Sequence, residues 1–122
     1  MDEASQHYER GVEAFKQGDY DTAIAELETA TQMNHEDYRA FNYLGAAYAA
    51  RNRYNAAIGA FKTAEQIAPH VASIHYNIGQ AYEATGIINE AEYEYGRAIE
   101  LKPDYAKAAE ALERVKKKLH HI

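Results

Sequence analysis

The sequence predicts an all-α fold, in which three copies of a helical hairpin stack in series and one further helix follows, giving seven helices. The main observation is an internal repeat, because small residues recur every 34 positions in the 122-residue chain. A period of this length indicates a helical unit that needs a neighbouring copy to cover its apolar face. Composition agrees, because proline occurs only at positions 69 and 103 and signals for β-strands are missing. The recurring residues are Gly11, Gly45 and Gly79; Ala23, Ala57 and Ala91; and Ala30, Ala64 and Ala98.

Each copy is predicted to form two helices. The first helices are predicted over residues 3–17, 38–51 and 71–85, and the second helices over residues 20–33, 54–67 and 88–101. A last helix is predicted over residues 105–120, where apolar residues recur at helical spacing and charged residues fill the opposite face.

The breaks between these helices coincide with residues of known turn chemistry. Within a copy, the first helix ends at a residue that tolerates the left-handed conformation. These residues are Gly18, Asn52 and Gly86. Between copies, Pro69 and Pro103 prevent the preceding helix from continuing. The predicted N-caps are Asp19, Asp37 and Asp104.

A single domain is expected to span residues 1–122, because the chain has room for one continuous core. Its three copies are predicted at about 4–37, 38–71 and 72–105, with the capping helix at about 105–120. The recurring glycines and alanines are expected where the two helices of a hairpin approach most closely. Leu27, Phe61 and Tyr95 are expected to fill the wider space toward the next copy.

Several kinds of site are excluded by composition. The chain has no cysteine, so disulfides, thiolate metal sites and cysteine nucleophiles cannot form. Its N-terminus lacks a basic segment followed by an apolar one, and no run approaches about 18 apolar residues. We therefore expect the chain as given to be cytoplasmic, although it could be cut from a longer protein with targeting signals elsewhere.

The net charge of −6 is distributed unevenly. Residues 1–37 hold 10 acidic and 2 basic side chains, whereas residues 106–122 hold 2 acidic and 5 basic ones. Alternation of acidic and basic segments suits association between proteins better than binding to a phosphate backbone, which needs a continuous basic face. No nucleic-acid partner is expected.

The repeat resembles the tetratricopeptide repeat family, whose pattern contains an aromatic residue, Leu-Gly, Tyr, Ala, Phe, Ala and Pro at fixed positions. The second copy matches best, with Phe41, Leu44, Gly45, Tyr48, Tyr54, Ala57, Phe61, Ala64 and Pro69. The third copy matches with Ile78, Gly79, Tyr82, Gly86, Ala91, Tyr95, Ala98 and Pro103. The first copy is the weakest match, as a terminal copy with one uncovered face would be.

This resemblance implies a right-handed α-solenoid that acts as a non-enzymatic scaffold or adaptor. In this family, the first helices of successive copies line a concave groove that holds an extended peptide or a partner helix. The groove residues implied here are Tyr8, Val12, Arg39, Asn42, Tyr43, Ala46, Ser73, Tyr76, Asn77, Gln80 and Lys107. Tyrosines would hold side chains, asparagines would bond the peptide backbone, and Arg39 and Lys107 would add charge selection.

One subclass of the family does not fit. Its chaperone-binding members hold a C-terminal carboxylate with a clamp of Lys, Asn and Arg side chains. The matching positions here are Tyr8, Val12, Tyr43, Ser73 and Asn77, and none agrees with the clamp. A carboxylate without a cationic partner gains little binding energy. We therefore expect no chaperone-tail binding.

The sequence also bears on self-assembly, on catalysis and on metal binding. The acidic first copy and the basic last helix are complementary, so a self-assembling structural protein is the alternative to a peptide-binding adaptor. An enzyme is not expected, because no phosphate-binding loop or nucleophile motif is present, and no cofactor is expected. The histidines are interpreted as surface or packing residues rather than metal ligands. They are His7, His35, His70, His75, His120 and His121.

Overall fold

The computed structural model describes residues 1–120, and these residues form seven α-helices and no strand. The helices are α1 (Glu3–Lys16), α2 (Tyr20–Met33), α3 (Tyr38–Ala50), α4 (Tyr54–Ile67), α5 (Ala72–Ala84), α6 (Ile88–Leu101) and α7 (Ala106–Leu119). The bounds of α2, α4 and α6 coincide with the predicted ones, α1 and α3 each end one residue earlier, and α5 and α7 are one residue shorter at both ends. The prediction of an all-α helical repeat is therefore confirmed. His121 lies outside the described residues.

The helix N-termini follow the predicted capping in two cases out of three. Asp19 accepts a hydrogen bond from the backbone N–H of Thr22 at 3.3 Å, and Asp37 accepts one from Arg39 at 3.0 Å. The prediction for Asp104 is wrong, because the N-cap of α7 is Tyr105 and no side chain caps that end. The Tyr105 N–H bonds the Lys102 carbonyl at 3.0 Å, and this turn places Asp104 one residue too early.

The turns inside the three hairpins share one conformation. Gly18, Asn52 and Gly86 have φ values of 79°, 61° and 81°. In each turn, the N–H of the next residue bonds a carbonyl in the last turn of the preceding helix, at 2.9 Å. This closes the first helix of each copy with a left-handed residue, as the sequence predicts.

The first compact unit is Met1–Ala68 and contains α1 to α4. Helix α1 packs on α2, α3 packs on α4, and α2 packs against α3. Its core includes the buried side chains of Ile24, Leu27 and Leu44. The Tyr48 hydroxyl also donates a hydrogen bond from α3 to the Glu28 carboxylate on α2. Partial burial, together with that bond, raises the pKa of Tyr48 to about 12.

The second compact unit begins at Pro69 and contains α5 to α7. Helix α5 packs on α6, and α6 packs on α7. The core of α6 and α7 contains Ala91, Tyr95, Ala111 and Val115, all at most 1% exposed. The single domain that the sequence suggests remains a prediction, since each unit has its own core.

The repeated small residues mark the closest approach of paired helices. A Cβ atom added to Gly11 would lie 2.5 Å from Leu27 Cγ, and one added to Gly45 would lie 2.5 Å from the Phe61 ring. One added to Gly79 would lie 2.6 Å from the Tyr95 ring. The predicted role of these larger side chains is thus incomplete, because each also covers the glycine of its own hairpin. The partner alanines are at most 2% exposed: Ala23, Ala30, Ala57, Ala64, Ala91 and Ala98.

None of the helices within residues 1–120 combines the length and the apolar character needed to cross a bilayer.

Candidate functional site

The first unit carries an aromatic cluster on its first helices, α1 and α3. The Tyr8 and Tyr43 rings meet edge to face with centroids 6.1 Å apart, and Phe15 meets Tyr43 in the same way at 5.7 Å. Phe15 also contacts Tyr20, at the start of α2, at 5.4 Å. Tyr8 and Tyr43 are half-buried, and burial raises the pKa of the Tyr8 phenol. Two of the predicted groove tyrosines thus form one surface.

Arg39 extends this aromatic surface but does not present a free charge. Its guanidinium carbon lies 4.8 Å from the centroid of the Tyr8 ring, which is a cation–π contact. The same guanidinium donates two hydrogen bonds to the Asp37 carboxylate, from Nε at 3.2 Å and from Nη2 at 3.3 Å. The bond to Asp37 is the main reason that the pKa of Arg39 is raised.

The second unit has a comparable tyrosine on α5. The Tyr76 ring lies 5.8 Å from the Tyr95 ring and 5.2 Å from the Tyr105 ring. Its hydroxyl accepts a hydrogen bond from the Gln80 amide at 3.1 Å, and burial raises its pKa. Tyr76 and Gln80, both predicted groove residues, therefore lie together on one helix face.

A charged network surrounds Glu83, also on α5. Its carboxylate accepts hydrogen bonds from Arg114 Nε at 2.7 Å and Nη2 at 2.8 Å, from Lys118 Nζ at 3.0 Å, and from the Tyr95 hydroxyl at 2.8 Å. The Arg114 bonds are the main cause that lowers the pKa of Glu83 from 4.5 to about 2. With Gln80 and Ala84, these charged groups line an open surface cavity of about 320 Å³. The sequence gives no sign that Glu83 and Arg114 pair.

The other predicted groove residues differ in how far their side chains are exposed to solvent. Gln80 and Lys107 are exposed. The half-buried ones are Val12, Asn42 and Ala46 in the first unit and Ser73 and Asn77 in the second. Their assignment to a binding surface remains a prediction.

Two histidines that occupy one repeat position form the same pair in different surroundings. His7 lies 3.4 Å from Glu26 in the first unit, and His75 lies 2.9 Å from Glu94 in the second. His75 is 4% exposed, and its Nε2 lies 3.0 Å from the Pro69 carbonyl. In each pair, a histidine on the first helix of a hairpin contacts a carboxylate on the second helix.

The sequence model of the tetratricopeptide repeat matches residues 8–72, and a second match covers residues 72–105. The chain therefore belongs to the tetratricopeptide repeat family, as its sequence pattern predicts.

The chain is also similar to curated proteins and to solved structures. Human Superkiller complex protein 3 is 28% identical over 103 residues, which are 84% of this chain and 7% of that protein. The chain thus spans about 7% of the length of the curated relatives it matches. Among solved structures, the first repeat domain of Spaghetti (RPAP3) bound to an HSP90 peptide has a TM-score of 0.93 at 24% identity, with 96% of this chain and 93% of that chain covered. The Yersinia enterocolitica secretion chaperone SycD in complex with a YopD peptide has a TM-score of 0.89 at 22% identity, with coverages of 95% and 94%. These likenesses show the fold.

Proposed function

We propose that this chain is a non-enzymatic interaction module that binds an extended segment of a partner protein on the first helices of its repeats. The observation that carries the proposal is the set of half-buried tyrosines on those helices that pack against other aromatic rings: Tyr8 and Tyr43 in the first unit and Tyr76 in the second. Their rings are fixed by neighbouring rings, so they offer apolar contact area at small entropic cost.

Asn42 precedes Tyr43 on α3, and Asn77 follows Tyr76 on α5, so the two asparagines stand at adjacent positions of the repeat. An amide side chain offers donors and an acceptor, so it can bond the backbone of a bound segment whatever that segment's sequence. In this arrangement the asparagine amides bind the backbone of the bound segment, and the tyrosine rings contact its side chains and so select among sequences. Two structural neighbours described above, the Spaghetti (RPAP3) domain and SycD, hold peptides in their solved structures, which supports the proposal.

The test is peptide-library capture by the full chain, followed by affinity measurement on a selected peptide. The double variant Tyr76→Phe with Asn77→Ala removes a hydroxyl and an amide while keeping the ring that packs on Tyr95 and Tyr105. We expect about a thirtyfold loss of affinity, since two hydrogen bonds to a bound segment are lost and each contributes on the order of 1 kcal/mol.

The matched control is Tyr93→Phe, which removes a hydroxyl from a tyrosine that is 64% exposed on α6. We expect this variant to bind like the wild-type chain. Circular dichroism and thermal melting should be unchanged for all variants. Equal binding by the double variant and the control would contradict the proposal.

Self-association is a second candidate function, favoured by one surface of the first unit. An open groove of about 610 Å³ between α1 and α2 is lined by Glu9, Glu13, Asp19 and Glu26, with Arg10 as its basic residue. The consecutive lysines 116–118 near the end of α7 are complementary to it in charge. Light scattering over a range of concentration and salt would reveal such association, because exposed ion pairs weaken as salt screens them. A monomer under all conditions would exclude it.

A further inference from the structure

Each unit holds one arginine that donates two hydrogen bonds to a carboxylate of the same unit. Arg39 bonds Asp37 through Nε and Nη2, and Arg114 bonds Glu83 through the same two nitrogens. The two-point fork is the geometry by which guanidinium groups recognise carboxylates in ligands. The same arrangement thus arises in two units from residues at unrelated repeat positions.

In the first unit, the carboxylate is held in place by the backbone. Asp37 Oδ1 accepts the Arg39 backbone N–H at 3.0 Å as the cap of α3, and the same side chain receives the guanidinium. The guanidinium itself is fixed from the other side by stacking on Tyr8. The Nε and Nη2 edge of the Arg39 guanidinium is therefore occupied by Asp37.

In the second unit, three side chains donate hydrogen bonds to the Glu83 carboxylate. Glu83 accepts four hydrogen bonds, from Arg114, Lys118 and Tyr95, and its side chain is 13% exposed. One negative charge here faces two positive ones, so the network retains a net charge of about +1. We therefore expect discrimination against acidic ligands to be weaker at the second unit than at the first, where the charges of Asp37 and Arg39 balance.

We propose that Asp37 and Glu83 are specificity-determining residues that occupy the two arginines in place of a ligand carboxylate, so that the binding surfaces select uncharged segments and disfavour acidic ones. This rests on the proposed function. An acidic segment would have to displace a carboxylate that is tethered beside the guanidinium at high effective concentration. It would also approach a like charge, which is a common device for rejecting the wrong partner.

The test uses two probe peptides with the full chain. One is N-acetyl-Glu-Glu-Leu-Asp with a free C-terminus, and the other is its uncharged counterpart, N-acetyl-Gln-Gln-Leu-Asn-amide. Binding is followed by NMR, through the side-chain Nε–Hε signals of Arg39 and Arg114. The variants are Asp37→Asn, which keeps a good N-cap residue, and Glu83→Gln, which keeps an acceptor oxygen for Tyr95.

For wild-type protein, we expect the acidic peptide to bind no more tightly than the uncharged one. Asp37→Asn should raise affinity for the acidic peptide about tenfold and shift the Arg39 signal, because the guanidinium loses its internal charged acceptor and can form the two-point contact with a ligand carboxylate. Glu83→Gln should act in the same direction at Arg114. Affinity for the uncharged peptide should change by less than about twofold.

Glu36→Gln and Glu113→Gln are matched controls, because each removes one exposed carboxylate from the same unit and changes the net charge equally. Equal gains in the controls and in Asp37→Asn would overturn the proposal, and so would a wild-type preference for the acidic peptide. Thermal melting and amide exchange would show whether Glu83→Gln destabilises the packing of α7. If it does, the result for Asp37→Asn alone decides whether the proposal holds. If the wild-type protein captures no peptide from the library, the proposed function is contradicted. The Arg39 Nε–Hε signal would still report whether Asp37 occupies the Arg39 guanidinium.

Discussion

The first and third repeats place the same two residue types at the same spacing, but in different surroundings. His7 and Glu26 lie 3.4 Å apart with side chains 25% and 22% exposed, whereas His75 and Glu94 lie 2.9 Å apart with 6% and 12% exposed. Water competes for the first pair and is largely excluded from the second. The comparison teaches that one repeat position can hold a marginal contact in one copy and a structural one in another, depending on burial.

The histidine variants should give the largest difference. His75→Ala should destabilise the protein by about 2–4 kcal/mol, because it leaves a mostly buried carboxylate without a partner. His7→Ala should cost at most about 1 kcal/mol, since water can replace the histidine beside Glu26. Urea unfolding followed by circular dichroism measures both values. Equal losses would break the comparison.

The repeat glycines should show a smaller contrast of the same kind. Gly79→Ala should cost about 1–3 kcal/mol by overpacking, because the Tyr95 ring that its Cβ would meet is tied by its hydroxyl to Glu83. Gly11→Ala should cost less, because no hydrogen bond holds the Leu27 side chain that its Cβ would meet.

The control for both glycine variants is Gly96→Ala, where an added Cβ meets nothing within 4 Å. In the interior of α6 this change should stabilise by up to about 1 kcal/mol. Thermal melting of the three variants gives the ranking. A loss for Gly96→Ala as large as that for Gly79→Ala would show that the cost at Gly79 does not come from its contact with the Tyr95 ring.

Acid should weaken the second unit through Glu83. The pKa of this carboxyl is lowered from 4.5 to about 2, so the ionised form stabilises the fold above pH 4.5, and this contribution is lost as the pH falls toward 2. Amide exchange in α7 should therefore accelerate over that range. Glu83→Gln should remove this part of the pH dependence, and an unchanged profile in the variant would assign the acid response to other groups.

The smallest expected effect comes from replacing the His75–Glu94 pair of the third repeat with the residues that the second repeat has at the same two positions. At the positions equivalent to His75 and Glu94, the second repeat has Phe41 and Ala60. The double variant His75→Phe with Glu94→Ala should differ from wild type by less than about 1 kcal/mol, because replacing both partners of a buried pair avoids an unpaired charge. Stability as low as that of His75→Ala would mean that the pair cannot be exchanged as a unit.

Sequence patterns could predict most of the fold, because the repeat makes each position testable in three copies. Gly45 predicted the close approach that the Phe61 ring reveals, and Gly18 predicted a left-handed turn. The N-cap of α7 was mispredicted at Asp104, because a proline turn shifts the helix start by one residue. Such a shift depends on local backbone geometry that residue types do not report.

The pairing of charges in the candidate site was only partly accessible from sequence. Asp37 and Arg39 are two residues apart at a helix start, so their contact could have been suspected from local geometry. Glu83 and Arg114 are 31 residues apart and meet because α5 and α7 belong to one compact unit. Periodicity predicts which helices are neighbours, but the rotamers that join one carboxylate to one guanidinium arise from packing.

The left-handed turn at Asn52 also affects the unfolded chain. Glycine stands at the equivalent positions of the other hairpins and samples far more backbone conformations before folding. Asparagine tolerates the same φ, and its Oδ1 accepts a hydrogen bond from the Tyr54 hydroxyl at 3.1 Å. The middle hairpin therefore closes from a narrower ensemble, and its connector loses less conformational entropy on folding than the connectors on either side.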